Sequence, residues 1–202
     1  NYCLSCHSAK YMRYNRMGAD LGISEDQIIA NLLFAGDKTG ETMTVALSPD
    51  QGKKWFGKAP PDLSVIARSK GPDWIFTFLL SFYEDNDSSR PFGVNNTVVE
   101  GTAMPAVLSG LQGVQVLVEK EAESDDKHYA GDALPTFELK KQGTMNPAEY
   151  RKAVRDLVNF LDYVGEPAQL IRGKVGVWVL VFLAFFTWFA WALYKEYWKD
   201  IH

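Results

Sequence analysis

Apolar and polar positions alternate along most of the chain, and one run near the end has no polar face at all. From Val175 to Tyr194 twenty successive residues carry no charge. At the helical rise such a run spans about 30 Å, the hydrocarbon thickness of a bilayer. A core helix of that length ordinarily keeps a polar edge, so the run predicts one transmembrane helix. Its aromatic residues include Trp178, Trp188, Trp191 and Tyr194, followed by Tyr197 and Trp198, several of them suited to interfacial belts. Upstream, Asn146-Pro147-Ala148-Glu149 opens an amphipathic helix with Tyr150, Ala153, Val154, Leu157, Val158, Leu161 and Val164 on one stripe, closed by Gly165 and Pro167. Ser24 to Gln27 has the form of a capping box, with Ile28, Ile29, Leu32 and Leu33 as one apolar face and an end near Gly36. Ser48-Pro49-Asp50-Gln51 repeats the start signal, with proline at the first helical position. A helix from Pro72 through Phe82 is apolar almost all round and is expected to be buried or to face another protein. Ser8–Asn15 is expected to continue a helix begun at His7, with Tyr11 and Tyr14 on it. Residues 84–112 read as loop. Val114–Val118 and Thr136–Leu139 alternate as two short strands of a hairpin with a long polar connection.

Composition changes this picture little. The 202 residues, 47% of them apolar, suffice for one core of ordinary size plus an appendage. The expected division is a soluble domain over 1–170, an anchor over 171–195 and a tail over 196–202. A net charge of -4 gives no support to nucleic-acid binding, which shows as a basic stripe. The run from Glu119 to Asp126 is mostly acidic and reads as a solvated loop, with docking of a basic partner protein as its functional alternative. Arg172 and Lys174 on one side of the anchor balance Lys195 and Lys199 on the other, so loop charge does not orient it.

Candidate chemistry is concentrated at the beginning. Cys3-Leu4-Ser5-Cys6-His7 is the attachment signature of a c-type haem: two thiols three positions apart meet two vinyl groups, and the adjacent imidazole is delivered to the iron. A zinc site needs two more soft ligands, and these are the only two cysteines. A thioredoxin-like dithiol needs a βαβ context that the flanking sequence lacks. Covalent haem attachment in bacteria takes place outside the cytoplasmic membrane, which predicts that the soluble domain is periplasmic and that Lys195–His202 is inside. With the motif so close to residue 1, the chain is expected to be a mature or trimmed form.

The iron needs a sixth ligand or an open site. Candidates are Met12, Met17, Met43, Met104, Met145, His128 and His202. Met104 is preferred, because Gly101 lets the backbone approach the haem closely and Pro105 stiffens it just after the thioether. Met145 belongs to a helix start, Met12 and Met17 follow His7 too closely, and His202 falls across the membrane. Thioether ligation raises the potential and suits electron transfer.

Together with the haem motif, Ala59-Pro60-Pro61-Asp62-Leu63-Ser64, Ala103-Met104-Pro105, Tyr150–Pro167 and the single C-terminal anchor make the chain resemble the cytochrome c1 family over nearly its whole length. The resemblance implies a mainly α protein: a c-type cytochrome fold around one covalent haem c, with loop insertions, a short β-hairpin and one transmembrane helix. It implies the haem subunit of ubiquinol:cytochrome c oxidoreductase, the cytochrome bc1 complex, within a dimeric assembly in the bacterial inner membrane. Its implied partners are cytochrome b, the iron–sulfur (Rieske) subunit, a cytochrome c acceptor and membrane lipid. No quinol site is apparent, so quinol oxidation is assigned to cytochrome b. A carbonyl at Pro60 or Pro61 is expected to accept the second imidazole N–H of His7. The family's basic residue beside a haem propionate is expected at Arg68 or Lys70, lysine lacking the bidentate fork. The alternatives are a free-standing membrane-tethered shuttle, and a haem enzyme or gas sensor with an open sixth position.

Overall fold

A computed structural model describes residues 2–118 and 136–200. The acidic run, His128 and His202 lie outside the described residues. In chain order the elements are β1 (Ala9–Arg13), α1 (Tyr14–Leu21), α2 (Glu25–Asn31), β2 (Thr42–Met43), α3 (Pro49–Phe56), α4 (Ile66–Lys70), α5 (Pro72–Leu80) and β3 (Phe82–Glu84). A 3-10 turn (Pro91–Gly93) then leads to β4 (Val94–Asn96), α6 (Ser109–Gln112), β5 (Gly113–Val118), β6 (Thr136–Gln142), α7 (Pro147–Gly165) and α8 (Gln169–Tyr197). The fold is mainly α, and among the described residues the strands form three separate antiparallel pairs, β1–β2, β3–β4 and β5–β6.

Three helices start where the capping chemistry predicts. Ser24 and Ser48 accept from the backbone N–H of Gln27 and Gln51, and each glutamine side chain accepts the serine N–H in return. At α7 the Asn146 side chain accepts from Ala148 and Glu149, while Glu149 accepts from Asn146 N–H at 2.9 Å. Each box satisfies N–H groups that the first helical turn leaves without partners.

Ser8–Asn15 departs from expectation: it is the strand β1 and the start of α1. Its backbone groups are taken by another segment before a helix can use them. Leu63 N–H donates to Ser8 O at 2.7 Å, Lys10 N–H to Asp62 Oδ2 at 3.1 Å and Tyr11 N–H to Ser64 Oγ at 3.1 Å. Tyr11 and Tyr14 consequently diverge, Tyr11 exposed and Tyr14 buried. The α2 helix ends at Asn31 rather than near Gly36, and Ile28 is buried while Ile29 is exposed. Phe82 leaves α5 for β3. The stretch expected as loop holds β4 and with it the β3–β4 ribbon, where the side chains of the buried Asn95 and Asn96 donate to Asp85 Oδ2 and Phe78 O.

Two apolar clusters form the core of the first unit, Asn1–Gly165. Met12, Tyr14, Met17, Ile28 and Met43 gather with Tyr163 and Val164 from the end of α7. Ala67, Ile75, Leu79 and Leu108 gather with Tyr150, Val154, Val158 and Leu161 from the rest of it. The apolar stripe of α7 therefore serves both clusters. Gly18 is needed where α1 meets α2, since a Cβ there would collide with Ile28.

The second unit begins at Glu166 and contains α8. Among the described residues this is the one helix long and apolar enough to cross a membrane, and none of its most apolar 18-residue window is buried. An apolar surface so fully exposed fits a single-pass anchor in lipid rather than a core helix.

Candidate haem-binding site

Cys3 to His7 forms one tight turn, in which the N–H groups of Cys6 and His7 both donate to Cys3 O, at 3.0 and 2.8 Å. This compactness holds both half-buried thiols and the imidazole in a single patch. Burial pushes the Cys3 thiol above its ordinary value, and the Cys6 thiol beside it adds to the rise.

The imidazole is fixed from the far side. His7 Nδ1 lies 2.7 Å from Pro61 O. A carbonyl only accepts, so Nδ1 is the donor here, and in the neutral ring the lone pair then sits on Nε2; among the described residues Nε2 has no hydrogen-bond partner. Of the two expected prolines, Pro61 supplies the carbonyl. Pro60 instead packs on α3, where a Cβ at Gly52 would stand 2.7 Å from its Cδ.

Two neighbours that sequence reasoning passed over hold Pro61 in place. Asp62 accepts from Ser64 N–H at 2.9 Å through Oδ1 and from Lys10 N–H through Oδ2, while the buried Ser64 accepts from Tyr11 N–H. The segment 61–64 is thereby stitched to the strand that follows His7. Partial burial pushes the Asp62 carboxyl up, but hydrogen bonds from Ser64 and Lys10 and the Lys10 charge outweigh it and hold the group below the usual carboxylate range. An Asp-x-Ser spacing is a common local side-chain-to-backbone pattern, and it was the available signal.

Among the described residues no hydrogen bond links the remaining expected residues to this turn. Met104 is half-buried among Leu79, Phe82, Val107, Leu108 and Tyr150, within the second cluster. The phenol of Tyr150 donates to Leu79 O at 3.1 Å, and burial pushes its titration well above the ordinary range. Arg68 and Lys70 are exposed at the end of α4. The Arg68 stem lies against Gly165, and Lys70 Nζ sits 5.2 Å from the centroid of Trp74.

Comparison with known proteins narrows the chemistry. The model of the "Cytochrome C1 family" matches residues 1–134. A cytochrome c1 of Allochromatium vinosum is 47% identical over 204 residues, covering 100% of this chain and 81% of its own. The chain belongs to the cytochrome c1 family. A protein of Nitrosomonas europaea named ammonia monooxygenase gamma subunit is 45% identical, covering 100% of this chain and 79% of its own. A Bradyrhizobium diazoefficiens protein named cytochrome b/c1 is 25% identical over 99% of this chain, which matches 32% of its length. Cytochrome c1 proteins are electron-transfer subunits of the cytochrome bc1 complex, an oxidoreductase, and carry one covalently bound haem c.

The residues present fit that group. Cys3 and Cys6 are the chain's only thiols, they share one turn with a histidine, and that histidine has its Nδ1 engaged by Pro61 O, which leaves Nε2 as the nitrogen open to a metal. Among the described residues no cluster of His, Cys, Asp and Glu offers a competing metal site.

Proposed function

We propose that this chain takes one electron at a time from the iron–sulfur (Rieske) subunit of a cytochrome bc1 complex and passes it to a cytochrome c acceptor. The observation that carries this reading is the Pro61 carbonyl 2.7 Å from His7 Nδ1 at the end of the Cys-x-x-Cys turn. Haem c, when bound, supplies a single iron that cycles between its ferric and ferrous forms. Cys3 and Cys6 would hold it covalently. His7 would offer Nε2 to the iron, with the bond to Pro61 orienting the ring and raising its basicity. Met104 would be the sixth ligand, and a His/Met pair favours a high potential. Of the two basic candidates for a haem propionate, Arg68 fits better than Lys70, because Lys70 already faces an aromatic ring and lacks the bidentate fork.

The soluble unit lies on the periplasmic side of the inner membrane, and α8 packs in the bilayer against cytochrome b. The relative named cytochrome b/c1, in which this chain matches about a third of a longer protein, supports that pairing. Replacing Met104 by leucine is expected to leave the haem attached but to lower its potential substantially, with loss of the sulfur-to-iron charge-transfer band of the oxidised protein. An unchanged potential and band would remove Met104 from the ligand set.

The Nitrosomonas europaea relative favours a second reading, in which the chain serves a monooxygenase assembly. Co-purification in mild detergent separates the two. Cytochrome b and an iron–sulfur protein are expected with the tagged chain, and recovery of monooxygenase subunits in their place would support the second reading.

A further inference from the structure

The loop that carries Met104 leaves β4 through residues 97–101, and side chains from neighbouring segments hold that turn. Asn95 is 1% exposed. Its Oδ1 accepts from Gly101 N–H and from Asn96 N–H, each at 2.9 Å, and its Nδ2 donates to Asp85 Oδ2 at 3.0 Å. Asn96, equally buried, accepts from Val98 and Val99 N–H at 2.9 and 3.2 Å and donates to Phe78 O in α5 at 2.7 Å. Arg90 closes the outer side: its Nε lies 3.2 Å from Asp85 Oδ2, and its Nη2 reaches Glu100 Oε1 at 3.1 Å. Its Nη1 lies over Gly101, 3.4 Å from where a Cβ would stand, and Gly101 has φ +66°, a conformation that glycine adopts without strain. Thr102 Oγ1 then accepts from Met104 N–H at 3.4 Å.

A buried amide must be satisfied somewhere, so the hydrogen bonds alone would mean little. Their direction is the informative part. The β3–β4 ladder pairs through its own backbone, yet the Asn95 and Asn96 oxygens point forward along the chain, onto Val98, Val99 and Gly101 between the ribbon and Met104. Methionine is flexible about three side-chain bonds, and its thioether is a neutral donor, so holding the sulfur on iron depends on where the backbone presents it.

We infer that Asn95 is a positioning residue for Met104, acting with Asn96 and Arg90 to hold Glu100 and Gly101 in one place and so keep the sulfur within reach of the iron. The inference rests on the proposal that Met104 is the sixth ligand.

The test uses the full-length holoprotein in detergent, oxidised and heated, with the sulfur-to-iron band and the far-ultraviolet helix signal followed together. In wild type the two signals are expected to disappear together. In Asn95→Ala the band is expected to vanish at a lower temperature than the helices melt, with haem still attached, and the potential to fall towards that of Met104→Leu. Arg90→Gln acts from the solvent side and is expected to shift the band in the same direction by less, which keeps the test decisive if Asn95→Ala does not accumulate. A band that tracks helix melting in Arg90→Gln, and in Asn95→Ala where that accumulates, together with a wild-type potential, would overturn the clasp. Met104→Leu run in parallel separates the two ideas. If the band survives that change, the ligand assignment fails and takes the clasp with it. If the band is lost there while the clasp variants match wild type, the clasp alone is wrong.

Discussion

At the scale of single residues, the imidazole of His7 is held by a relay of backbone and side-chain hydrogen bonds rather than by packing alone. Pro61 O faces Nδ1, and Asp62 and Ser64 bind the strand just beyond His7. Asp62→Ala leaves two backbone N–H groups without this acceptor and is expected to lower unfolding free energy by about 1 to 2 kcal/mol, read as a lower denaturant midpoint. The pH dependence follows from the direction of the shift. The folded carboxyl titrates below its unfolded value, so its stabilisation is fully present above about pH 4 and is lost as the pH falls through the lowered folded value. The variant is therefore expected to lose less stability on acidification than wild type, and equal acid sensitivity would show that Asp62 is not a linked group. The resemblance to the family pointed to a carbonyl of Pro60 or Pro61 as the partner of His7, and which of the two was not legible in the sequence. Nor were the roles of Asp62 and Ser64, because they depend on which strand lies alongside.

At the scale of elements, the parts that were legible are those whose signals are local. Ser24, Ser48 and Asn146 cap their own helices, and the strand expected over Val114–Val118 is found as β5, although the side chain it buries is Gln115 and not one of the valines. The strand β1 was illegible because Ala9–Arg13 is made extended by partners more than thirty positions away, Met43 and the 61–64 segment. Likewise the polar composition around Asn95 disguised a ribbon whose amides are buried. The anchor was read from length and apolarity alone. Leu183 lies near the middle of its uncharged run, and Leu183→Arg is expected to cost about 3 to 4 kcal/mol in membrane insertion. The fraction of chain resisting alkaline carbonate extraction should fall accordingly, and full retention in the membrane pellet would count against α8 as a span.

At the scale of the whole molecule, two clusters share one long helix, and the proposed ligands come from different sides of that division. His7 leads into β1, whose Ala9 and Met12 enter the first cluster, and Met104 belongs to the second. The haem-attachment turn and the methionine loop were each legible as motifs; their placement relative to α7 was not, because it depends on how two apolar faces divide one stripe. The proposed function sends electrons drawn from quinol through the haem of this chain. It is tested most directly by adding a quinol to the assembly purified through this chain and following the haem absorption. The expected result is reduction of the haem by quinol, followed by reoxidation when oxidised cytochrome c is added. A haem that dithionite reduces but quinol leaves oxidised, in an assembly containing cytochrome b and the iron–sulfur subunit, would contradict the proposed electron path.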